Sequence, residues 1–481
     1  MPTPYWLEHP VAILLGVLAF HTVGLLHVIH ALMHVRTSQG TIAWIVCLVS
    51  FPYVAIPFYW VFGRQRFQGF VKARREGSSD FACQMEDMYR AISEFEEMPS
   101  GPHSDFLESA RRLADLPILG GNHTRLLVDG SKTFARMFET IDTARDYVLV
   151  LFFIFKDDRV GTEFKNLLIR KAREGVRVYF LYDSLGSHSL PRRFIRQMRE
   201  AGIEVEGFGR NHIWWSRFQI NFRNHRKIVV VDGHTCYVGG LNVGDEYRDG
   251  HPTLGRWRDT HFRIHGPSVQ AVQLVFLEDW HWATGRIPQL SWKCDPLEDG
   301  RRVLVLPTGP SDPFDSWQIA VIGAAATARK RLWIASPYFV PDEAVTAALQ
   351  NAALRGVDVR VLLPKKPDHL LVYLSSFSYY PDVIPCGVSL HRYHKGFMHQ
   401  KVVLIDTDIA IIGTANIDNR SFRLNFEISC LIDHPEDTAE VAAMLENDFR
   451  HSHRASEDDF QCRPFWFRLA CRAARLLAPI Q

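Results

Sequence analysis

Hydrophobic and polar positions divide this chain into three regimes. The first is almost unbroken: residues 11–32 and 41–62 are two apolar stretches, each long enough to cross about 30 Å of hydrocarbon as a helix. They predict a membrane hairpin occupying 1–66. No basic segment precedes the first stretch and a second follows at once, so a cleaved signal peptide is not expected. The second regime, 67–118, is charged, with an acidic run at 94–97 and a break at Pro99-Ser100-Gly101-Pro102. It reads as a helical linker near the membrane surface with a solvated face. In the third regime, short apolar runs alternate with helix-period segments. A strand at 148–154, a helix at 162–174, Gly175 and a strand at 176–182 are matched by 332–335, 342–355, Gly356 and 357–363. That is an internal duplication of α/β type. It predicts an α/β sandwich with a largely parallel sheet in each half, 119–295 and 296–455. Residues 456–481, with Phe465, Trp466, Arg468, Arg472 and Arg475, predict a basic amphipathic helix.

Details inside the apolar stretches sharpen the picture. Arg36 stands alone in the connecting loop, whereas Arg64, Arg66, Lys72, Arg74 and Arg75 follow the second stretch. The positive-inside rule therefore places both ends in the cytoplasm. Pro52 and Pro57 predict a kink or a shallow re-entrant turn. His21, His27, His30 and His34 lie along the first stretch, the last three on one helical face. His30 and His34 are expected at the interface and the other two against the second helix, the alternative being a metal or proton site.

Composition narrows the function class. A formal net charge of +2 argues against bulk nucleic-acid binding. Eight cysteines without a C-x-x-C pair suit free thiols in a reducing compartment. No zinc signature is present, and neither a metal nor a cofactor is expected.

The chemistry sits in a motif that occurs twice. His225-Arg226-Lys227 leads to Asp232, and His399-Gln400-Lys401 leads to Asp406, in the spacing His-x-Lys-x4-Asp. Gly240 and Asn242 follow the first copy, and Gly413 and Asn416 the second. The aliphatic runs 228–231 and 402–405 predict buried strands, so the His and Lys of each copy share one face. An imidazole beside an ammonium suits attack on a phosphate, with Asn242 and Asn416 as further donors to its oxygens. His225, Lys227, Asp232, His399, Lys401 and Asp406 form the expected catalytic set. The two aspartates, at the strand ends, are expected to fix a turn more than to do chemistry.

These residues resemble the paired motifs of the phospholipase D superfamily. The strings HRKIVVVDGHTCYVGGLN and GTANIDNRSFRLNFE are similar to those of bacterial cardiolipin synthases. YDSLGS, RWRD, FLEDW and SPYFVPD extend the likeness over nearly the whole chain. The resemblance implies two pseudo-symmetric sandwich halves with the active site between them. It also implies that Asp259 and Glu427 each hydrogen-bond and orient a catalytic imidazole.

The activity so implied is transfer of a phosphatidyl group from one phosphatidylglycerol to another, giving cardiolipin and glycerol through a phosphohistidine. The resemblance favours His225 as nucleophile and His399 as acid and base; the residues alone are symmetric on this. Lys227, Lys401, Asn242 and Asn416 would supply the positive field. The expected setting is the bacterial inner membrane, with an anionic phospholipid as partner and no nucleic acid. Trp214, Trp215, Phe218 and Phe222, interleaved with Arg217 and Arg223, suit such an interface. Three readings compete: a hydrolase of phospholipase D type, a nuclease sharing the motif, and a lipid-binding scaffold with a dead site. Phosphatidylethanolamine as donor is a variant within the synthase reading itself.

Overall fold

The structure, a computed structural model, describes residues 10–35, 38–63, 79–209, 221–298 and 300–481. Arg36, Arg64, Arg66, Lys72, Arg74 and Arg75, on which the orientation argument rests, lie outside these residues, as do Trp214, Trp215, Arg217 and Phe218. The chain divides into two units, Met1–Val71 with His212–Phe222, and Lys72–Asn211 with Arg223–Gln481.

In the first unit, α1 (Pro10–His34) is the one helix long and apolar enough to cross a membrane among the described residues. The second apolar stretch, where Pro52 and Pro57 predict a kink or a re-entrant turn, is two helices, α2 (Ser38–Ser50) and α3 (Pro52–Phe62). The cause is Pro52. A proline forces the residue before it out of the helical region, and Phe51 sits at φ −139°, ψ 59°. The helix then restarts with proline in its first turn, where no N–H is missed. At 1.5 Å per residue, α2 and α3 are each only about 15–20 Å long. Of the α1 histidines, His27 lies against α3 as expected, and His30, expected at the interface, lies there too. The Trp60 indole donates to His27 Nε2 at 2.8 Å, and the Tyr59 hydroxyl lies 2.7 Å from His30 Nδ1.

In the second unit, the helices α4 (Ser79–Ile92) and α5 (Ser104–Ala114) precede the sandwich. The latter is no free arm: Phe106 and Leu107 are buried. The first half runs β1 (Leu119–Val128), α6 (Gly130–Asp142), β2 (Tyr147–Phe152), α7 (Arg159–Arg173), β3 (Arg177–Asp183), α8 (Arg192–Glu200), β4 (Glu204–Phe208), β5 (Ile228–Val231), β6 (Thr235–Gly239), β7 (Thr260–His265) and α9 (Ser268–Thr284). The second repeats it: β8 (Arg301–Thr308), α10 (Ser316–Thr327), β9 (Arg331–Ala335), α11 (Glu343–Leu354), β10 (Asp358–Pro364), α12 (Leu370–Phe377), β11 (Ser389–Tyr393), β12 (Val402–Ile405), β13 (Ile409–Gly413), β14 (Asn425–Asp433) and α13 (Pro435–Arg450). A last helix, α14 (Phe465–Arg475), follows.

The strand order is β4-β3-β2-β5-β6-β7-β1 in one half and β11-β10-β9-β12-β13-β14-β8 in the other, so each strand has a counterpart. β1 and β8 pair antiparallel and join the two sheets. The expected largely parallel sheet is corrected. Within this strand order only β2-β3-β4 and β9-β10-β11 are parallel; the other neighbours in it are antiparallel. The reason is loop length. A parallel return needs a long crossover, which α7 and α11 provide. Between β5 and β6 there are only Asp232, Gly233 and His234, with φ of 52° and 71° at the first two, a reversal that yields a hairpin.

Asp232 and Asp406 serve these turns. The Asp232 carboxylate accepts the backbone N–H groups of Arg145, Asp146 and Tyr147 at 2.8–2.9 Å. Asp406 accepts those of Arg329, Lys330 and Arg331 at 2.7–2.9 Å. Each carboxylate accepts from three backbone donors, at the opposite end of the motif strand from its His and Lys.

The middle residue of each His-x-Lys points the other way, as alternation requires. Arg226 donates to Asp279 of α9 at 2.8 Å, and Gln400 to Asp448 of α13 at 2.8 Å. All four side chains are buried. Removing one member of a buried ion pair leaves a charge without its partner. Arg226→Ala is expected to cost about 3–5 kcal/mol of stability. Thermal unfolding in detergent checks this, with Arg226→Met/Asp279→Leu recovering much of the loss.

Candidate active site

His225 and Lys227 lie just before β5, and His399 and Lys401 just before β12, where the two halves meet. Backbone bonds cross between the halves at this point: His225 N–H donates to Phe426 O at 2.9 Å, and His399 N–H to Arg258 O at 2.8 Å. Each imidazole thereby meets a carboxylate from the opposite half. His225 Nδ1 lies 3.0 and 2.9 Å from the two Glu427 oxygens, and His399 Nδ1 lies 2.8 Å from Asp259 Oδ2. Neither half holds a complete dyad; the pairs are exchanged between the halves.

The carboxylates are themselves fixed. Thr414 and Ser421 hydroxyls donate to Glu427 at 2.6 and 3.0 Å, and the Asn425 amide at 3.2 Å. Thr260 N–H donates to Asp259 at 2.7 Å. Gly240 makes room for that carboxylate, because a Cβ there would stand 2.1 Å from Asp259 Oδ1. Gly240→Ala is expected to displace Asp259 and tilt the His399 ring, lowering kcat by about 10²-fold, the scale of a 1 Å misplacement. Steady-state kinetics beside an unchanged unfolding temperature distinguishes this from a folding defect.

Burial sets the charge states. It pushes the His225 imidazole down to about 4, against the pull of Glu427 and with a further push from Lys227. His399 is lowered by burial and by Lys401, against Asp259. Burial alone would raise Glu427 and Asp259, but the paired imidazoles and the lysines outweigh it and hold both low. A neutral imidazole that donates Nδ1–H to an ionised carboxylate leaves Nε2 bare. The lysines are also depressed by burial, Lys227 to about 7 and Lys401 to about 8, each opposed by Glu427 and Asp259. Such a site gains from an anion, which would restore both ammonium charges.

Aromatic walls surround these groups, and the motif gives no hint of them. The Phe153 ring lies 5.0 Å from His225, and Tyr247 and Trp257 lie 5.6 and 5.3 Å from His399. The two asparagines are not equivalent. Asn242 accepts from Ile154 N–H at 3.1 Å and donates to the Tyr247 hydroxyl at 2.9 Å, so its amide braces a wall. The buried Asn416 side-chain oxygen has no partner among the described residues. All eight cysteines are free.

Residues 137–251 and 321–451 match the family described as cardiolipin synthase, PLD-like domain. Those two segments carry both His-x-Lys copies. The chain belongs to this family. It is 43% identical to a cardiolipin synthase A of Pseudomonas putida, over 99% of each chain. It is 45% identical to that of Pseudomonas fluorescens, over 96% of each. In fold it is similar to the crystal structure of a phosphatidylserine synthase from Haemophilus influenzae, with a TM-score of 0.59 at 16% identity, covering 78% of this chain and 100% of that one.

Proposed function

We propose that this chain moves a phosphatidyl group from one phosphatidylglycerol to the glycerol hydroxyl of another, yielding cardiolipin and free glycerol. The observation that carries the reading is the exchanged pair of imidazole–carboxylate contacts, closed over two buried lysines. Membership of the cardiolipin synthase family supplies the lipid class.

The chemistry divides into two displacements. In the first, His225 Nε2 attacks phosphorus, the bond to the glycerol oxygen breaks, and His399 gives that oxygen its proton. The bound phosphodiester's negative charge offsets the burial that otherwise keeps His399 neutral. In the second, His399 takes the proton of the incoming hydroxyl, which displaces His225 from phosphorus. Lys227, Lys401 and Asn416 face the charge that grows on the phosphoryl oxygens. One phosphodiester replaces another, so the exchange is nearly isoenergetic. By the positive-inside rule the catalytic unit lies on the cytoplasmic side of the inner membrane, with the α2–α3 segment as a second pass or a re-entrant turn.

Full-length protein in phosphatidylglycerol vesicles with chelator tests this. Cardiolipin and glycerol in equal amounts are expected. Phosphatidic acid with glycerol and no cardiolipin would make the enzyme a hydrolase, and turnover only with added phosphatidylethanolamine would change the donor.

A further inference from the structure

The segments after β3 and β10 are counterparts in the two halves, and both reach the walls of the active site. After β3, the Ser187 hydroxyl donates to Phe153 O at 3.0 Å, and the Phe153 ring abuts His225. After β10, Asp368 accepts from the Tyr338 hydroxyl at 2.5 Å, and its charge acts on Lys401 and His399. Beside these inner contacts, each segment turns apolar side chains to the outside. Leu185 is 52% exposed, and Leu370 and Leu371, at the start of α12, are 64% and 40% exposed. α14 packs on α12 through Phe467 against Phe377, with ring centroids 5.5 Å apart. It leaves Phe465 and Trp466 60% and 74% exposed.

Cations flank these apolar groups. Arg192, Arg193 and Arg196 are exposed on α8, and Arg192 and Arg196 line a cavity of about 690 Å³ that also takes in Ser184 and His188. Lys365 and Lys366 are exposed just before α12, and Arg468 and Arg472 are exposed on α14. Apolar side chains ringed by Lys and Arg suit an anionic bilayer surface, with the leucines and aromatics below the headgroups and the cations among them. Charge complementarity singles out that partner.

We infer that the mouth of the active site is a bilayer-docking rim, formed by the loop before α8, the start of α12, and α14, which seats on an anionic phospholipid leaflet. The rim rests on the functional reading above in one respect, that the substrate is a membrane lipid. It brings the two imidazoles to headgroup level, so that a phosphodiester enters without its acyl chains crossing water.

The test uses full-length protein in vesicles of phosphatidylglycerol and phosphatidylcholine. Photoreactive p-benzoylphenylalanine is placed in turn at Leu185, Leu370 and Trp466, and at Leu354 as control. Leu354 is 72% exposed but closes α11, where the chain enters β10 at the end away from the site. Lipid adducts at the three rim positions, at least tenfold above Leu354, are expected. Adducts no more frequent than at Leu354, or adducts to protein in their place, would overturn the rim. Labelling needs no turnover, so a failure to make cardiolipin would count against the functional reading and leave this readout intact. As a second measurement, Leu370→Asp/Leu371→Asp is expected to lower kcat/KM at least tenfold on bilayer phosphatidylglycerol. On monomeric short-chain phosphatidylglycerol it should stay within twofold. Equal losses on both substrates would mean that the leucines act on the site and not on docking.

Discussion

Replacing His225 with alanine is expected to abolish cardiolipin formation, by roughly 10⁴- to 10⁶-fold, the scale seen when a covalent nucleophile is removed. Replacing His399 is expected to behave differently, because the two rings are not equally placed. Both donate Nδ1–H to a carboxylate, yet the ammonium of Lys401 lies 3.1 Å from both ring nitrogens of His399. The Lys227 ammonium makes no such contact with the His225 ring: it bonds the His225 carbonyl and faces Phe153. A cation against the ring opposes a second positive charge on it, which favours giving up a proton, while the His225 Nε2 stays bare for attack. A donor with a good leaving group, such as phosphatidyl-p-nitrophenol, needs no acid in the first step. His399→Ala should therefore still be phosphorylated by it, then stall for want of a base, with turnover down by roughly 10²- to 10⁴-fold. The trapped species is read as acid-labile, base-stable radiolabel from a phosphorus-labelled donor and located by peptide mass spectrometry. Label on His225 in His399→Ala supports the assignment. Label on His399 in His225→Ala reverses the two roles.

Much of this site was legible because strand periodicity and duplication leave strong marks. A buried tetrad such as Ile228–Val231 after His-x-Lys places both side chains on one face, and the second copy confirms the register. Strand polarity was not legible, although its signal was present in Asp232-Gly233, a hairpin turn between two apolar runs. The break at Phe51, by contrast, was legible from Pro52. Other features exist only once the two halves pack. No spacing rule links Glu427 to His225, 202 residues away, or Phe153 to the same ring. Thr414, Ser421 and Asn425 read as ordinary polar residues until their shared target, the Glu427 carboxylate, is known. The unequal asparagines make the same point, since Asn242 and Asn416 hold matching places in the motif but only one is spent on a neighbouring tyrosine.

Changing Glu427 to glutamine is expected to cost about 10³- to 10⁴-fold in kcat, the scale known for an orienting carboxylate turned into an amide. The amide keeps the shape of the side chain but loses the charge. The carboxylate accepts from His225 Nδ1–H and so leaves Nε2 unprotonated, whereas an amide can donate to Nδ1 and move the proton to Nε2. The same carboxylate opposes the burial of Lys227 and Lys401, so its loss should lower both lysines further. That gives a readout which a merely structural role would not move. Lys227 at about 7 and Lys401 at about 8 are charged below these values and lose their charge as pH rises through them. In the wild type, kcat/KM reports the free enzyme. It should fall first as His399, lowered by burial, loses the proton it gives, and fall further between about pH 7 and 8 as the lysines lose their charge. Its acid limb should lie near pH 4, where His225 gains a proton and ceases to be a nucleophile. A bound phosphodiester raises the lysines, so the alkaline limb of kcat should lie at higher pH than that of kcat/KM. In Glu427→Gln the alkaline limb of kcat/KM should shift to lower pH, while Glu427→Asp, which keeps the charge, should leave it nearly in place. Parallel pH profiles for all three proteins would remove the electrostatic role from Glu427 and leave it a packing residue alone.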